Sequence, residues 1–478
     1  MAIGANSLAT KQETEGRETM ATQKFTPAEL AERAIQRRAV EAVIWGMPIV
    51  NFDLMYQAAV GLKAAFNQVI YWSRLSDWKN QTLTPNPNAI YLMPFFNTKT
   101  VGPVVLEIPP ADEGSITGNI DDAWQIALED VGPAGIDKGR GGKLLILPPR
   151  FKDKTPDGYI TLRSHTYAGF ALLRSILRGG GDADLAKAVA YGKRVKLYPL
   201  SEAGNPSPTK FVDASDVVFD STIPYDLRFF HSLARMVESE PWMERDRAMI
   251  HQLKSIGIEK GKPFNPDAKT QRILNDAAQE ALAFLDATYE SAYSPSYFEG
   301  SRWALPVWPT VVEGQGTSYS KTDGYPIDGR GATYSMAFVG VKHLGAGQYY
   351  LMTMKDERGQ PLKGNNTYRL YVPANVPVRQ YWSVTAYDRD THSLIRNMPR
   401  ASRSSQDSDL KKNTDGSVDL YFGPKAPAGN ESNWVPTDPN REFELMLRLY
   451  GPQKALFDKR WKLPDVEQTA IGLEEKAA

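Results

Sequence analysis

YWSVTAYD, residues 381–388, has two unlike faces at a period of two. Trp382, Val384 and Ala386 make an apolar row. Tyr381, Ser383, Thr385 and Tyr387 make a row in which every side chain ends in a hydroxyl. Successive strand residues point to opposite faces, so the pattern predicts a β-strand with one face on a core and one face available. Neighbouring segments repeat it. TYRLYVP (Thr367–Pro373), SVDLYFG (Ser417–Gly423) and EFELMLRLYG (Glu442–Gly451) all alternate. In the last, Phe443, Leu445, Leu447 and Leu449 face one way, and Glu444, Met446, Arg448 and Tyr450 the other. Asp415-Gly416 is a hairpin-turn signal. Alternating strands without a βα rhythm predict a sandwich or jelly roll over residues 326–465.

Working outward, short apolar runs appear again at Ala89–Phe96, Val104–Ile108, Lys143–Leu147 and Tyr159–Leu162. Bounded by Pro, Gly and Asn, they predict an antiparallel β-sandwich over residues 69–215. Ala168–Arg178 fits a short helix or a strand. Residues 216–325 read as helical: Leu227–Val237, Arg245–Ser255 and Ala268–Ala292 carry apolar residues at three- and four-residue spacing. Asn265-Pro266 reads as the N-terminal punctuation of the last. A first helix opens the 25–68 segment, with Thr26 as N-cap, Pro27 at the first helical position and Glu29 completing a capping box. Gly46 and Pro48 are expected to stop it. Residues 1–24 read as a disordered leader and 466–478 as a frayed tail. The expected fold is mainly β with a helical insert.

Lys+Arg and Asp+Glu both number 56, so net charge is zero. This argues against nucleic acid or anionic membrane held by bulk electrostatics. With no cysteine, disulfides, thiolate metal sites and cysteine catalysis are excluded. No apolar run reaches the ~20 residues of a membrane helix. No signal peptide is visible, which makes the chain cytoplasmic as written, or exported if the N-terminus is mis-assigned. Nothing calls for a cofactor. The partners expected are a small-molecule ligand and a further copy of the chain.

Nucleophile-elbow, zinc-pair and phosphate-loop signatures are missing. GRGG (Gly139–Gly142) and GRG (Gly329–Gly331) read as turns. RSHT places Arg163 and His165 on one face at a strand end, and with Asp121 and Asp122 they are the candidates for catalysis. Asp388, Asp390 and His392 in DRDTH are candidate metal ligands, against a plainer reading as a solvated turn. Asn86 and Tyr91 in TPNPNAIY can bind a ligand or cap turns. Tyr371, Tyr381, Ser383, Thr385, Tyr387, Tyr421 and Arg448 are candidate ligand contacts if their strands share a sheet. Tyrosine pairs an apolar ring with a polar tip, which suits hydroxylated or aromatic ligands.

TPNPNAIY, GPVVLEIP (Gly102–Pro109) and DDAW (Asp121–Trp124) resemble the bacterial domain of unknown function 1254. NTYRLYVP, YWSVTAYD, NTDGSVDLYF (Asn413–Phe422), NWVPT (Asn433–Thr437) and FELMLRLYGP resemble its usual partner, domain of unknown function 1214. The resemblance covers most of residues 40–462. It implies an immunoglobulin-like β-sandwich, a helical insert and a C-terminal jelly-roll-like β-sandwich, and it carries no established reaction. The chain departs from that pattern at Asn88, where the family has aspartate, and at Arg400–Arg403, where it has a tyrosine-containing segment. Three functions stay open: a ligand-binding protein using the tyrosine-rich face or the interdomain cleft, a hydrolase-like enzyme at the domain junction, and a structural or assembly protein.

Overall fold

The computed structural model describes residues 25–469 apart from 178, 180, 322, 338, 339 and 346; the leader and the last nine positions lie outside the described residues. Two β-sandwiches flank a helical layer. In the first, a six-stranded sheet runs in the order Phe211–Asp213, Gln68–Tyr71, Ile90–Asn97, Ala168–Ser175, Ile116–Asp122, Ala127–Val131. It faces a four-stranded sheet ordered Lys196–Pro199, Val104–Ile108, Gly142–Leu147, Ile160–Arg163. Val69, Leu92, Leu106, Ile120, Leu144 and Leu173 fill the space between. The segment left open in the sequence is thus the strand Ala168–Ser175.

The second sandwich pairs Gln348–Thr353, Phe443–Tyr450, Trp382–Asp388 and Ser402–Ser404 in one sheet. The other holds Trp434–Pro436, Val418–Gly423, Thr367–Val372 and Glu467–Thr469. Trp382, Val384 and Ala386 enter its core with Leu420, Phe443 and Leu445. The architecture is mainly β with a helical insert, and its sheets are mixed. Most neighbours are antiparallel, but Gln68–Tyr71 with Phe211–Asp213, Gly142–Leu147 with Ile160–Arg163, Val418–Gly423 with Trp434–Pro436, and the separate pair Asn80–Gln81 with Phe219–Asp220 run parallel. Residues 467–469, expected to fray, instead pair with Thr367–Arg369.

The first helix runs Pro27–Gly61, straight through Gly46 and Pro48, with the predicted capping box between Thr26 and Glu29 in place. An internal proline costs about 3 kcal/mol or more. Val43, Ile44, Trp45 and Met47 are buried beside it, each contributing about 1.5–3 kcal/mol, so packing wins. The helix lies against Leu227–Ser239, Ala268–Ser291 and Ile327–Met336. Gly331 of the last makes the closest approach, because a Cβ there would lie 2.8 Å from the Ile44 carbonyl oxygen. The GRG motif is therefore helical, not a turn. The long helix at Ala268 is capped by Asp267, whose carboxylate accepts the Thr270 N–H, one residue beyond the expected Asn-Pro signal.

Candidate functional site

The hydroxyl row of residues 381–387 is not open. Tyr381, Ser383, Thr385 and Tyr387 are all fully buried. On the adjacent strand the polar row Glu444, Met446, Arg448, Tyr450 continues the face, with Ser383 opposite Arg448, Thr385 opposite Met446 and Tyr387 opposite Glu444. The segment 82–91 of the first sandwich covers both rows. Asn86 Nδ2 donates to the hydroxyls of Tyr381 and Tyr450, both at 2.9 Å. The Asn86 backbone N–H donates to the Tyr91 hydroxyl at 2.8 Å, and the Tyr387 hydroxyl donates to the Pro85 carbonyl at 2.7 Å. Tyr381 and Tyr450 stack 4.5 Å apart.

Beside this seam lies a narrow cavity of about 50 Å3 between the two sandwiches, room for about two waters. Its apolar wall includes Met93, Leu172, Leu305, Val307 and Met336. Two arginines enter it, one from each sandwich. Arg174 stands opposite Tyr91 on the neighbouring strand, and Arg448 opposite Tyr350. Each guanidinium lies 5.3 Å from the ring of that neighbour. Arg448 donates to Thr385 Oγ1 at 3.1 Å and to the Thr84 carbonyl at 2.7 Å, leaving its Nε unpaired. Arg174 has one long bond, Nε to the Tyr91 hydroxyl at 3.4 Å, and its Nη1 is unpaired. Neither has a carboxylate partner among the described residues. Burial disfavours both charges, but the phenol oxygens around them hold each guanidinium's pKa above its ordinary value. Burial likewise opposes ionisation of Tyr450, yet Arg174 and Arg448 draw its phenol below the ordinary value, while burial pushes Tyr350 and Tyr381 up.

The seam is strained where it meets the next polar group. Thr84 has φ +38° and His392 φ +53°, left-handed backbone that a β-branched residue rarely adopts. They meet directly, since the Thr84 N–H donates to the His392 carbonyl at 2.6 Å. His392 Nδ1 is 2.8 Å from Oε1 of the fully buried Glu444, whose Oε2 accepts from the Tyr289 hydroxyl at 3.1 Å.

The other predicted residues are dispersed. Tyr371 and Tyr421 sit on the second sheet of the C-terminal sandwich, so the single hydroxyl face expected from sequence does not form. Tyr371 bonds Asp415 on the surface. Asp388 and Asp390 are held by Arg441, His392 turns to Glu444, and among the described residues no cluster of three His, Asp or Glu is arranged for a metal. Arg163 donates to the Phe151 carbonyl. His165 is half-exposed and 3.5 Å from buried Asp122, a contact that raises its pKa against the opposing effect of burial. Asp121 is fully buried; burial pushes its carboxyl far up, against a bond from Asn119. These groups do not share the arginine cavity. The two departures from the resemblance pattern touch each other: Ser402 Oγ donates to Asn88 Oδ1 at 3.0 Å. Sequence reading missed Arg174, whose signal is a lone cation in the otherwise apolar strand AGFALLRS.

The described helices include none long and apolar enough to cross a membrane. The chain is similar across 91% of its length to all of a solved structure, the VPA0106 protein from Vibrio parahaemolyticus, at 18% identity and TM-score 0.55. A second, an uncharacterised protein from Burkholderia cenocepacia, is 12% identical with TM-score 0.42, over 93% of this chain and 97% of that one. No curated protein matches. Protein of unknown function (DUF1254) matches residues 66–199, and Protein of unknown function (DUF1214) matches residues 347–454. The chain belongs to the family in which these two uncharacterised domains stand in tandem, DUF1254 first and DUF1214 second.

Proposed function

We propose that this protein binds a small carboxylate in the cavity between its two sandwiches. The observation that carries the reading is the pair of buried guanidiniums, Arg174 and Arg448, that share one cavity without a carboxylate partner among the described residues. A buried charge normally has a partner. Guanidinium matches a carboxylate in two parallel bonds, and unpaired N–H groups are available on both arginines. The apolar wall suits a short hydrocarbon body, and the narrow volume favours a ligand of few heavy atoms. Tyrosine hydroxyls give the orienting contacts, as in small-molecule sites generally.

The test is calorimetric titration of the full chain with acetate, isobutyrate, benzoate and inorganic phosphate. Saturable binding of the short carboxylates is expected, with Arg448→Met weakening it about tenfold or more, the value of a bond to a charged group. No saturable heat with any of the four, or binding unchanged in the Arg174→Met/Arg448→Met double variant, overturns the reading.

A further inference from the structure

A second cavity, of about 520 Å3, opens on the far side of the Thr84–His392 junction. His392 lines it, as do Asp286, Tyr289, Ser335, Arg389 and Asp390. The imidazole is about nine-tenths buried. Its Nδ1 faces Glu444, and its Nε2 has no hydrogen-bond partner among the described residues. Glu444 accepts on both oxygens, from Tyr289 on one side and His392 on the other. A carboxylate facing Nδ1 favours the ring proton there and leaves the Nε2 lone pair free. Tyr289 packs edge-on against the ring at 5.2 Å, and the left-handed backbone at His392 is held by its N–H to the Asp388 carbonyl at 2.8 Å. A histidine oriented by a buried carboxylate, with its second nitrogen free at a cavity, is the arrangement of a general base. Strained backbone of this kind is typical of functional sites.

We propose that this cavity binds a hydroxylated small molecule that carries no anionic group, with His392 Nε2 accepting a hydrogen bond from a ligand hydroxyl and Glu444 as the positioning residue. The ligand class follows from the walls. Arg389 is paired with Asp286 and Glu290, and Asp390 with Arg441. Glu290 and Glu442 line the cavity too, so its walls carry more carboxylate than guanidinium and turn away anions, and Nε2, an acceptor, requires a donor. The ligand hydroxyl donates to Nε2 while the ring proton stays on Nδ1 toward Glu444, so no bond is made or broken and no other reactant is needed. The site is separate from the arginine cavity and does not rest on the carboxylate reading.

The test uses diethyl pyrocarbonate, which acylates an unprotonated imidazole nitrogen, with residue-by-residue mass spectrometry on the full chain at mildly alkaline pH. His165 and His343, with half-exposed side chains, are internal references. His392 is expected to react despite its burial. Sorbitol at about ten times its dissociation constant slows that reaction about tenfold, and acetate does not. Glu444→Gln, whose amide donates to Nδ1 and moves the ring proton to Nε2, slows acylation of His392 but not of the references, and Glu444→Asp restores it. Nitrogen NMR of labelled histidine reads the tautomer directly, so a misfolded variant is distinguishable from a tautomer change. An unreactive His392, or a rate unchanged in Glu444→Gln, overturns the free acceptor nitrogen. Protection by acetate but not by sorbitol overturns the ligand class.

Discussion

Replacing Arg174 by methionine is expected to stabilise the ligand-free protein. The side chain is 6% exposed, and its polar contacts are few: one bond of 3.4 Å to the Tyr91 hydroxyl and a ring contact at 5.3 Å. A bond that long contributes well under 1 kcal/mol, and a desolvated cation–π contact about 2 kcal/mol. The Tyr350 and Tyr450 phenols that raise its pKa attract the cation strongly only once ionised, so at neutral pH the opposing effect is the desolvation of a guanidinium without an anionic partner, which costs several kcal/mol after relaxation. Methionine fills similar volume and leaves only the Tyr91 hydroxyl short of a donor, which the Asn86 N–H still supplies. The difference favours the variant by about 2 kcal/mol. Unfolding entropy of about 2.1 cal/mol/K per residue makes that a rise of about 2 °C for a chain of this length. Scanning calorimetry in a buffer free of organic anions reads it. At a hundredfold excess of a binding carboxylate over its Kd the order reverses, since the wild type gains about 2.7 kcal/mol and the variant does not. A variant that is less stable without ligand, by 1 kcal/mol or more, would falsify the argument and make Arg174 a structural residue.

Three other perturbations have defined signs. Arg174 and Arg448 lower the phenol pKa of Tyr450 against burial, so a phenolate forms below the usual alkaline range and competes with a bound anion. Carboxylate affinity should therefore fall as pH rises through that ionisation and stay level in Tyr450→Phe; the same fall in the variant would sink the idea. Burial pushes Glu240 up to about 7, against bonds from the N–H groups of Tyr167 and Ala168. A raised carboxyl pKa means the folded state holds the proton more tightly, so its stability contribution is full below the unfolded value near 4.5 and is lost as pH rises through about 7. Denaturant unfolding should show wild-type stability falling by up to about 3 kcal/mol over that window, with Glu240→Gln flatter; equal slopes would contradict it. Gly331→Ala puts a Cβ 2.8 Å from the Ile44 carbonyl oxygen and 3.0 Å from Leu285 Cδ2, an overpacking cost of about 1–3 kcal/mol. An unchanged melting temperature would mean that the helices part freely.

How far the fold was legible depends on the range of the information. The alternation of Trp382, Val384 and Ala386 with the hydroxyl row is a local property, and it correctly placed the apolar row in the C-terminal core. The capping box at Thr26 is local too. Pro48 misled because its own helix propensity is local, whereas the packing that overrides it comes from helices hundreds of residues away, such as Ile327–Met336. Sheet membership is likewise non-local. Tyr371 and Tyr387 have the same alternation signature and lie in different sheets, because register within a strand says nothing about which strands pair. Arg174 escaped notice since its partner in the cavity, Arg448, is supplied by the other sandwich.

That origin bears on why the arginines stand there. The face shared by residues 381–387 and 444–450 must be covered, and the loop around Asn86 covers it with bonds from one side chain to two tyrosines and from one backbone N–H to a third. Tyrosine, threonine and asparagine alone can close such a seam, because each neutral group finds a partner at a modest cost of burial. Arg448 closes part of it through the Thr84 carbonyl and Thr385 Oγ1, but Arg174 adds only one long bond, and each guanidinium leaves an N–H without a partner. Thr84 then takes a left-handed backbone beside one of them, a further ~1–3 kcal/mol. A purely structural interface relaxes such features away, since replacing buried charge by apolar volume is neutral or stabilising. Their concentration around one cavity, joined to the His392–Glu444 pair through the Thr84–His392 bond, is what the proposed carboxylate site accounts for and a purely structural seam does not.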